Sequence, residues 1–80
     1  MFYVYIIQSK EGRYYIGSTS EIKKRLVQHN SGEYRGWTRR YSEWRLVYSE
    51  PFETRHDALV RERQIKRMKG GNGFKRLVAS

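Results

Sequence analysis

A glutamate beside an otherwise apolar helical stripe is the most unusual chemical feature of this sequence. Ala58, Leu59, Ile65 and Met68 lie three, four or six positions from Glu62, so a helix places its carboxylate on or next to their face. An unpaired carboxylate near a core is costly unless a cation or hydrogen bonds compensate it. A half-buried carboxylate is also a ligand that Mg²⁺ accepts, with water and phosphate oxygens completing the coordination.

The alternative interpretation of Glu62 is structural. Its side chain can turn to the edge of the stripe and form an ion pair with Lys66, one helical turn further on. Such a pair contributes only a few tenths of a kcal/mol. Periodicity alone slightly favours this ion pair over a metal site.

Arg25 and His29 form a second candidate pair, one helical turn apart on the same face. Leu26 places that face beside the buried stripe of the predicted helix. Arginine suits multi-donor binding of phosphate, and histidine can accept, donate or relay a proton. The pair taken alone favours a solvated basic face of the kind that Lys23 and Lys24 form.

Four tyrosines crowd the first two predicted strands. Alternation puts Tyr3 and Tyr5 on one face and separates Tyr14 from Tyr15. Tyrosines in sheets usually pack, but Gly17 shares the face of Tyr15 and predicts an open spot where a ligand could approach. A phenol that acts as a base needs a neighbouring cation or metal to stabilise the phenolate.

The segment 34–45 interleaves aromatic and basic residues. Arginines contact phosphates and aromatic rings stack on unpaired bases, so nucleic-acid binding is expected of Arg35, Trp37, Arg39 and Arg40, whereas Trp44 is expected to pack.

The charge of the chain agrees with a polyanionic partner. Seventeen Lys and Arg residues against eight Asp and Glu give a net charge of +9, and nucleic acid is the commonest polyanion in cells. Residues 54–80 carry eight basic residues against two acidic ones, and Lys66 and Arg67 are assigned to this basic surface. Without cysteine there is no thiol nucleophile. No apolar run reaches membrane-spanning length, so a cytoplasmic protein without a membrane partner is expected.

The order of predicted elements indicates an α+β domain over residues 1–80, with helices packed on a small antiparallel sheet. Thr19 or Ser20 is expected to cap the first helix, and Trp44, Leu46 and Tyr48 are expected to share one face. The predicted elements are strands at 2–8 and 13–18, a helix at 21–30, a loop at 31–43, a strand at 44–49 that Pro51 ends, a helix from a Thr54 cap to about 69, a glycine-rich stop at 70–73, and a helix at 74–79.

Taken together, these features resemble the GIY-YIG nuclease family, in its small stand-alone members. The motifs that carry the resemblance are Tyr3-Val4-Tyr5, then "RYYIGSTSEIKKRLVQHN" at 13–30, then "ALVRERQIK" at 58–66. The first triplet reads Tyr-Val-Tyr where the family has Gly-Ile-Tyr, which keeps the final tyrosine.

The resemblance implies a three-stranded antiparallel sheet flanked by helices, and hydrolysis of a DNA phosphodiester with one divalent ion, Mg²⁺ or Mn²⁺. By position, Glu62 resembles the metal ligand and Tyr15 the tyrosine proposed to activate water. Tyr5 resembles its partner tyrosine, Arg25 the arginine that binds the scissile phosphate, and His29 occupies a position where members carry His or Tyr. Asn72, in the predicted glycine-rich loop, is not assigned the role of an asparagine that some members carry.

The expected function is a metal-dependent endonuclease acting on DNA, in structured or single-stranded form, with a protein partner supplying targeting. The alternative is a non-catalytic nucleic-acid-binding module on the same scaffold, and a third interpretation directs the protein to RNA. Glu62 separates the first two, because a pure binder gains nothing from a carboxylate suited to a metal.

Overall fold

Aromatic and β-branched residues at the start of the chain build the centre of a three-stranded antiparallel sheet. The computed structural model describes residues 1–33 and 36–79, and the predicted α+β class and element order are confirmed. The elements are β1 (Phe2–Gln8), β2 (Tyr14–Thr19), α1 (Ile22–Ser31), a 3₁₀ turn (Trp37–Arg40), β3 (Arg45–Phe52), α2 (Arg55–Met68) and α3 (Asn72–Ala79). None of the described helices has the length and apolar character needed to cross a membrane.

The sheet has the order β2-β1-β3, so β1 pairs on both sides. Its residues therefore alternate between two apolar layers. Val4 and Ile6 pack toward α2 and α3, while Tyr5 and Ile7 pack on the face that α1 covers. The two layers explain why β1 reads as a continuous apolar run.

The third strand corrects two expectations. It continues through Pro51 to Phe52, because β3 is an edge strand, where a residue without an N–H is tolerated. A register shift falls between Ile6, which faces Tyr48, and Ile7, which faces Leu46. The extra residue reverses the alternation, so Tyr48 packs toward α2 and α3 while Trp44 packs on the α1 face. The predicted common face of Trp44, Leu46 and Tyr48 is wrong.

The helix termini agree only in part with the predicted caps. The hydroxyl of Thr54 accepts the N–H of Asp57 at 3.1 Å, as predicted for the start of α2. At α1 the N-cap is Glu21 and its side chain makes no capping bond. Thr19 accepts the N–H of Glu21 at 3.1 Å, so it stabilises the turn before the helix and neither Thr19 nor Ser20 is the N-cap.

The last helix begins earlier than expected. Asn72 and Gly73 belong to the first turn of α3, so the stop between α2 and α3 is shorter than the predicted loop. Gly70 takes a left-handed φ of 91° there, a conformation that glycine adopts without steric cost. Asn72 is exposed at the helix start.

Candidate active site

A buried chain of hydrogen bonds joins the sheet, α1 and the 3₁₀ turn. His29 is 1% exposed. Its Nε2 lies 3.1 Å from the Tyr5 hydroxyl and its Nδ1 lies 3.1 Å from the Thr38 hydroxyl. Burial, together with the charge of Arg25, lowers the pKa of His29 to about 4, so the imidazole is neutral at neutral pH. The expected solvated face is therefore wrong for His29.

The space above Gly17 is filled by two tyrosine rings. A Cβ added at Gly17 would lie 2.9 Å from the Tyr5 hydroxyl and 2.9 Å from Cε2 of Tyr15. Gly17 is itself buried, so the predicted open spot for a ligand is wrong. Glycine is needed there because Tyr5 is its partner in the β1–β2 register and the Tyr5 side chain packs directly over the Gly17 backbone.

The partly exposed Tyr15 ring packs at a tilt against the buried rings of His29 and Tyr5. Its ring centroid lies 4.8 Å from that of His29 and 6.1 Å from that of Tyr5. Tyr14 points to the opposite face, where it packs edge-on against Phe74 at 5.0 Å. The alternation of the two adjacent tyrosines therefore holds as the sequence predicts.

An aromatic cluster made of Tyr15, Trp37, Tyr41 and Trp44 continues from this point to the surface. The Trp37 centroid lies 5.9 Å from the centroid of each of the other three rings. Trp37 remains 45% exposed, whereas Trp44 is buried. The part of the predicted loop that carries Trp37 is thus a 3₁₀ turn packed on α1 rather than irregular chain.

Asn30 and Thr38 hold this cluster in place. The Trp44 N–H donates to Asn30 Oδ1 at 2.6 Å, and Asn30 Nδ2 donates to the Trp44 carbonyl at 3.0 Å. The Trp44 indole N–H donates to the Thr38 carbonyl at 3.3 Å. Sequence reasoning missed both residues, and their polarity within an aromatic-rich region is the only local signal that they give.

Glu62 combines the two properties that the sequence presented as alternatives. Its side chain is only 15% exposed, and its Oε2 lies 2.7 Å from Nζ of Lys66. No group of three or more His, Cys, Asp or Glu side chains suited to a metal is present among residues 1–33 and 36–79. The carboxylate of Glu62 by itself is a donor suited to a divalent ion that takes one protein oxygen and completes its coordination with water and substrate oxygens.

Helix α2 runs along the edge strand β2. At its N-terminal end, Ala58 lines a cavity together with Thr19. At its C-terminal end, Lys69 Nζ donates to the Tyr14 carbonyl at 3.3 Å and lies 5.9 Å from the Trp37 ring centroid. Glu62 lies between these two ends, one helical turn from Ala58. The carboxylate therefore lies on α2, the helix packed alongside the strand that carries Tyr15.

The remaining predicted residues occupy different positions. Arg25 is half-buried and lines the cavity of about 160 Å³ at the end of β2. Arg39 and Arg40 are exposed on the 3₁₀ turn, and Lys66 and Arg67 are exposed on α2. Arg35 lies outside the described residues.

Comparison with known proteins agrees with this architecture. A family model described as the GIY-YIG catalytic domain matches residues 1–75. A UPF0213 protein of Staphylococcus saprophyticus is 41% identical over 64 residues, which are 80% of this chain and 78% of that protein. A UPF0213 protein of Halobacterium salinarum is 34% identical over 68 residues, which are 85% of this chain and 88% of that protein.

A solved structure gives the same result. The solution NMR structure of a UPF0213 protein from Bacillus halodurans superposes with a TM-score of 0.60 at 31% sequence identity. The superposition covers 99% of this chain and 84% of that one.

Proposed function

Because this chain belongs to the GIY-YIG catalytic-domain family, we propose that it hydrolyses DNA phosphodiester bonds as a divalent-metal-dependent endonuclease, with residues 1–80 acting as one domain. The observation that carries the proposal is the carboxylate of Glu62, 15% exposed on the helix that runs along β2. Burying a carboxylate on a basic domain costs free energy, and a metal-binding role accounts for its position.

In this proposal Glu62 is the protein ligand of one Mg²⁺ or Mn²⁺ ion. When bound, the ion neutralises charge on the phosphate and lowers the pKa of water. The Lys66 ammonium, 2.7 Å from Glu62 Oε2, has to leave that oxygen for the ion to bind it. Arg25 contributes a guanidinium that stabilises charge developing on the scissile phosphate.

The two tyrosines have different roles. Tyr15 is partly exposed and is proposed to orient the attacking water and, as a phenolate stabilised by a nearby cation, to accept its proton. Tyr5 is 1% exposed and is hydrogen-bonded to His29, so we assign both as positioning residues that fix the ring of Tyr15. Because His29 is neutral, it adds no positive charge to that of the neighbouring Arg25.

The aromatic cluster is proposed to select unpaired or structured DNA. Trp37 is 45% exposed, and its ring is suited to stacking with one unpaired base, an interaction worth about 1–3 kcal/mol. The exposed cations proposed to contact the backbone are Arg39, Arg40, Lys66 and Arg67, with Arg35 as a sequence-based member of the set. We further propose a cytoplasmic location and a protein partner that supplies targeting.

A non-catalytic nucleic-acid-binding module is the second candidate. The observation that favours it is the ion pair itself, because Lys66 already provides Glu62 with a cation at 2.7 Å. RNA is a further candidate partner, since the exposed Trp37 ring would stack on unpaired bases of either nucleic acid.

The deciding experiment is a cleavage assay on labelled single-stranded, duplex and branched DNA and on RNA, with Mg²⁺, Mn²⁺ or EDTA. Glu62→Gln should abolish metal-dependent cleavage and leave affinity in EDTA nearly unchanged. Glu53→Gln is the matched control, because it removes the same charge from an exposed position and should cleave like the wild type. Equal cleavage by the wild type and Glu62→Gln would contradict the assignment. Binding without cleavage by the wild type would favour the module.

A further inference from the structure

The cavity at the end of β2 contains a second arginine that the motif residues do not include. Arg25 reaches the cavity from α1 and Arg55 reaches it from the first turn of α2. Ser18, Thr19 and Ser20 supply hydroxyl groups from the end of β2, and the volume is about 160 Å³. We propose that this cavity is a phosphate-binding subsite and that Arg55 binds a phosphate of the nucleic acid next to the one bound by Arg25.

The charges around the cavity favour an anion. No acidic side chain lines it, and within residues 1–33 and 36–79 no acidic side chain forms an ion pair with Arg55. A phosphate in the cavity would be attracted by both guanidinium groups that line it. Glu21, on the neighbouring surface, is within 3.9 Å of the Lys24 ammonium, so a cation already offsets its charge.

The shape and the hydroxyl groups of the cavity fit the same ligand. Ala58 also lines it, and its methyl group takes up less of the space than a larger side chain would. Thr19 accepts the N–H of Glu21 with its oxygen, which leaves its hydroxyl hydrogen able to donate to a phosphate oxygen. A water occupies about 30 Å³ of liquid, so the cavity is large enough for a phosphate group with some of its hydration.

The cavity shares Arg25, the residue proposed to bind the scissile phosphate, with a second cavity. Arg25, Thr19 and Ser20 also line this neighbouring cavity of about 150 Å³. Lys24, Gln28 and Glu21 complete that lining, and the Glu21 carboxylate lies 3.9 Å from the Lys24 ammonium. Arg25 thus lines two adjoining cavities, and only the one that Arg55 also lines has no acidic side chain in its lining. The subsite rests on the proposed nucleic-acid partner, but it does not depend on catalysis.

The test compares Arg55→Gln with Arg63→Gln. Both arginines are exposed on α2, but Arg63 does not line this cavity. Affinities for a labelled single-stranded oligonucleotide are measured in EDTA at several salt concentrations. Arg55→Gln should weaken binding about tenfold and reduce the salt slope by about one. Arg63→Gln should change affinity by less than about twofold, and Arg55→Lys should retain part of the wild-type affinity because the charge remains.

Two substrate arms identify the source of the phosphate. If a 5′-phosphorylated and a 5′-hydroxyl oligonucleotide lose affinity equally in Arg55→Gln, the subsite binds a backbone phosphodiester. If only the phosphorylated one loses affinity, it binds a terminal phosphate. Equal losses for Arg55→Gln and Arg63→Gln in both arms would overturn the subsite. Because the assay contains no divalent ion, it tests the phosphate subsite separately from cleavage. The subsite can be confirmed even if the protein does not cleave, and refuted even if it does.

Discussion

Protonation of His29 should destabilise this protein at mildly acidic pH. The imidazole is buried against Tyr5 and Thr38, and its pKa is lowered from 6.5 to about 4 by burial and by the charge of Arg25. Between these two pKa values the unfolded chain binds a proton at His29 and the folded chain does not. The free energy of unfolding is therefore highest above pH 6.5 and decreases as the pH falls toward 4. At 1.36 kcal/mol for each pKa unit, the full loss is about 3 kcal/mol, of which about 2 kcal/mol is reached at pH 5.

The assay is urea unfolding of the wild type and His29→Gln between about pH 7.5 and pH 5. His29→Gln should be less stable at neutral pH, because a buried hydrogen bond is lost. Its disadvantage should shrink by about 2 kcal/mol at the lower pH, because it lacks the group that titrates. All other titrating groups are common to both proteins, so their contributions cancel in the comparison.

The second histidine provides the control. His56 is exposed on α2, so His56→Gln removes an imidazole that folding does not bury and serves as the matched control. An NMR titration gives an independent measurement, in which the ring signals of His29 should stay those of a neutral imidazole down to about pH 5. A stability difference between wild type and His29→Gln that does not change with pH would refute the reasoning, as would titration of His29 near 6.5.

Three further changes test the packing and the surface. Gly17→Ala should cost about 1–3 kcal/mol in urea unfolding, because the new methyl group would lie 2.9 Å from the Tyr5 hydroxyl; an unchanged midpoint would show that the rings yield freely. Lys66→Met should strengthen Mn²⁺ binding a few-fold in a calorimetric titration, since the competing ammonium is gone from Glu62; weaker binding would contradict displacement. Trp37→Ala should lower affinity for single-stranded DNA about tenfold in EDTA while duplex binding changes little; equal losses on both would exclude stacking.

Local sequence patterns were sufficient to predict which residues share a face of β1 and β2. The period of two separates Tyr14 from Tyr15, and Tyr5 from Val4 and Ile6. The same reasoning failed in β3, where a single extra residue between the partners of Ile6 and Ile7 reverses the alternation. A bulge is defined by the pairing between two strands, and the apolar pattern of one strand contains no information about that pairing.

The burial of His29 shows a similar limit within the candidate site. Helical periodicity correctly places it one turn from Arg25, but whether this face is solvated depends on the chain beyond α1. Thr38 and Trp44 fold back over it, and Asn30 fixes the Trp44 backbone with two hydrogen bonds. These contacts join positions 9 to 14 residues apart, across a stretch of sequence that has no apolar period to predict them.

For Glu62, the ion pair with Lys66 and the proposed metal site, which periodicity presented as alternatives, are compatible. An ion pair with Lys66 and a metal site both require an ionised carboxylate, and a side chain that is only 15% exposed needs a nearby cation to keep that charge. Lys66 is 54% exposed, so its long side chain can turn into solvent without disturbing the packing of α2. An incoming ion would then meet a carboxylate that is already charged and oriented, at the cost of the ion pair with Lys66. The pair and the proposed metal site are therefore compatible as successive states of one carboxylate, and the response of Mn²⁺ affinity to Lys66→Met measures the exchange between them.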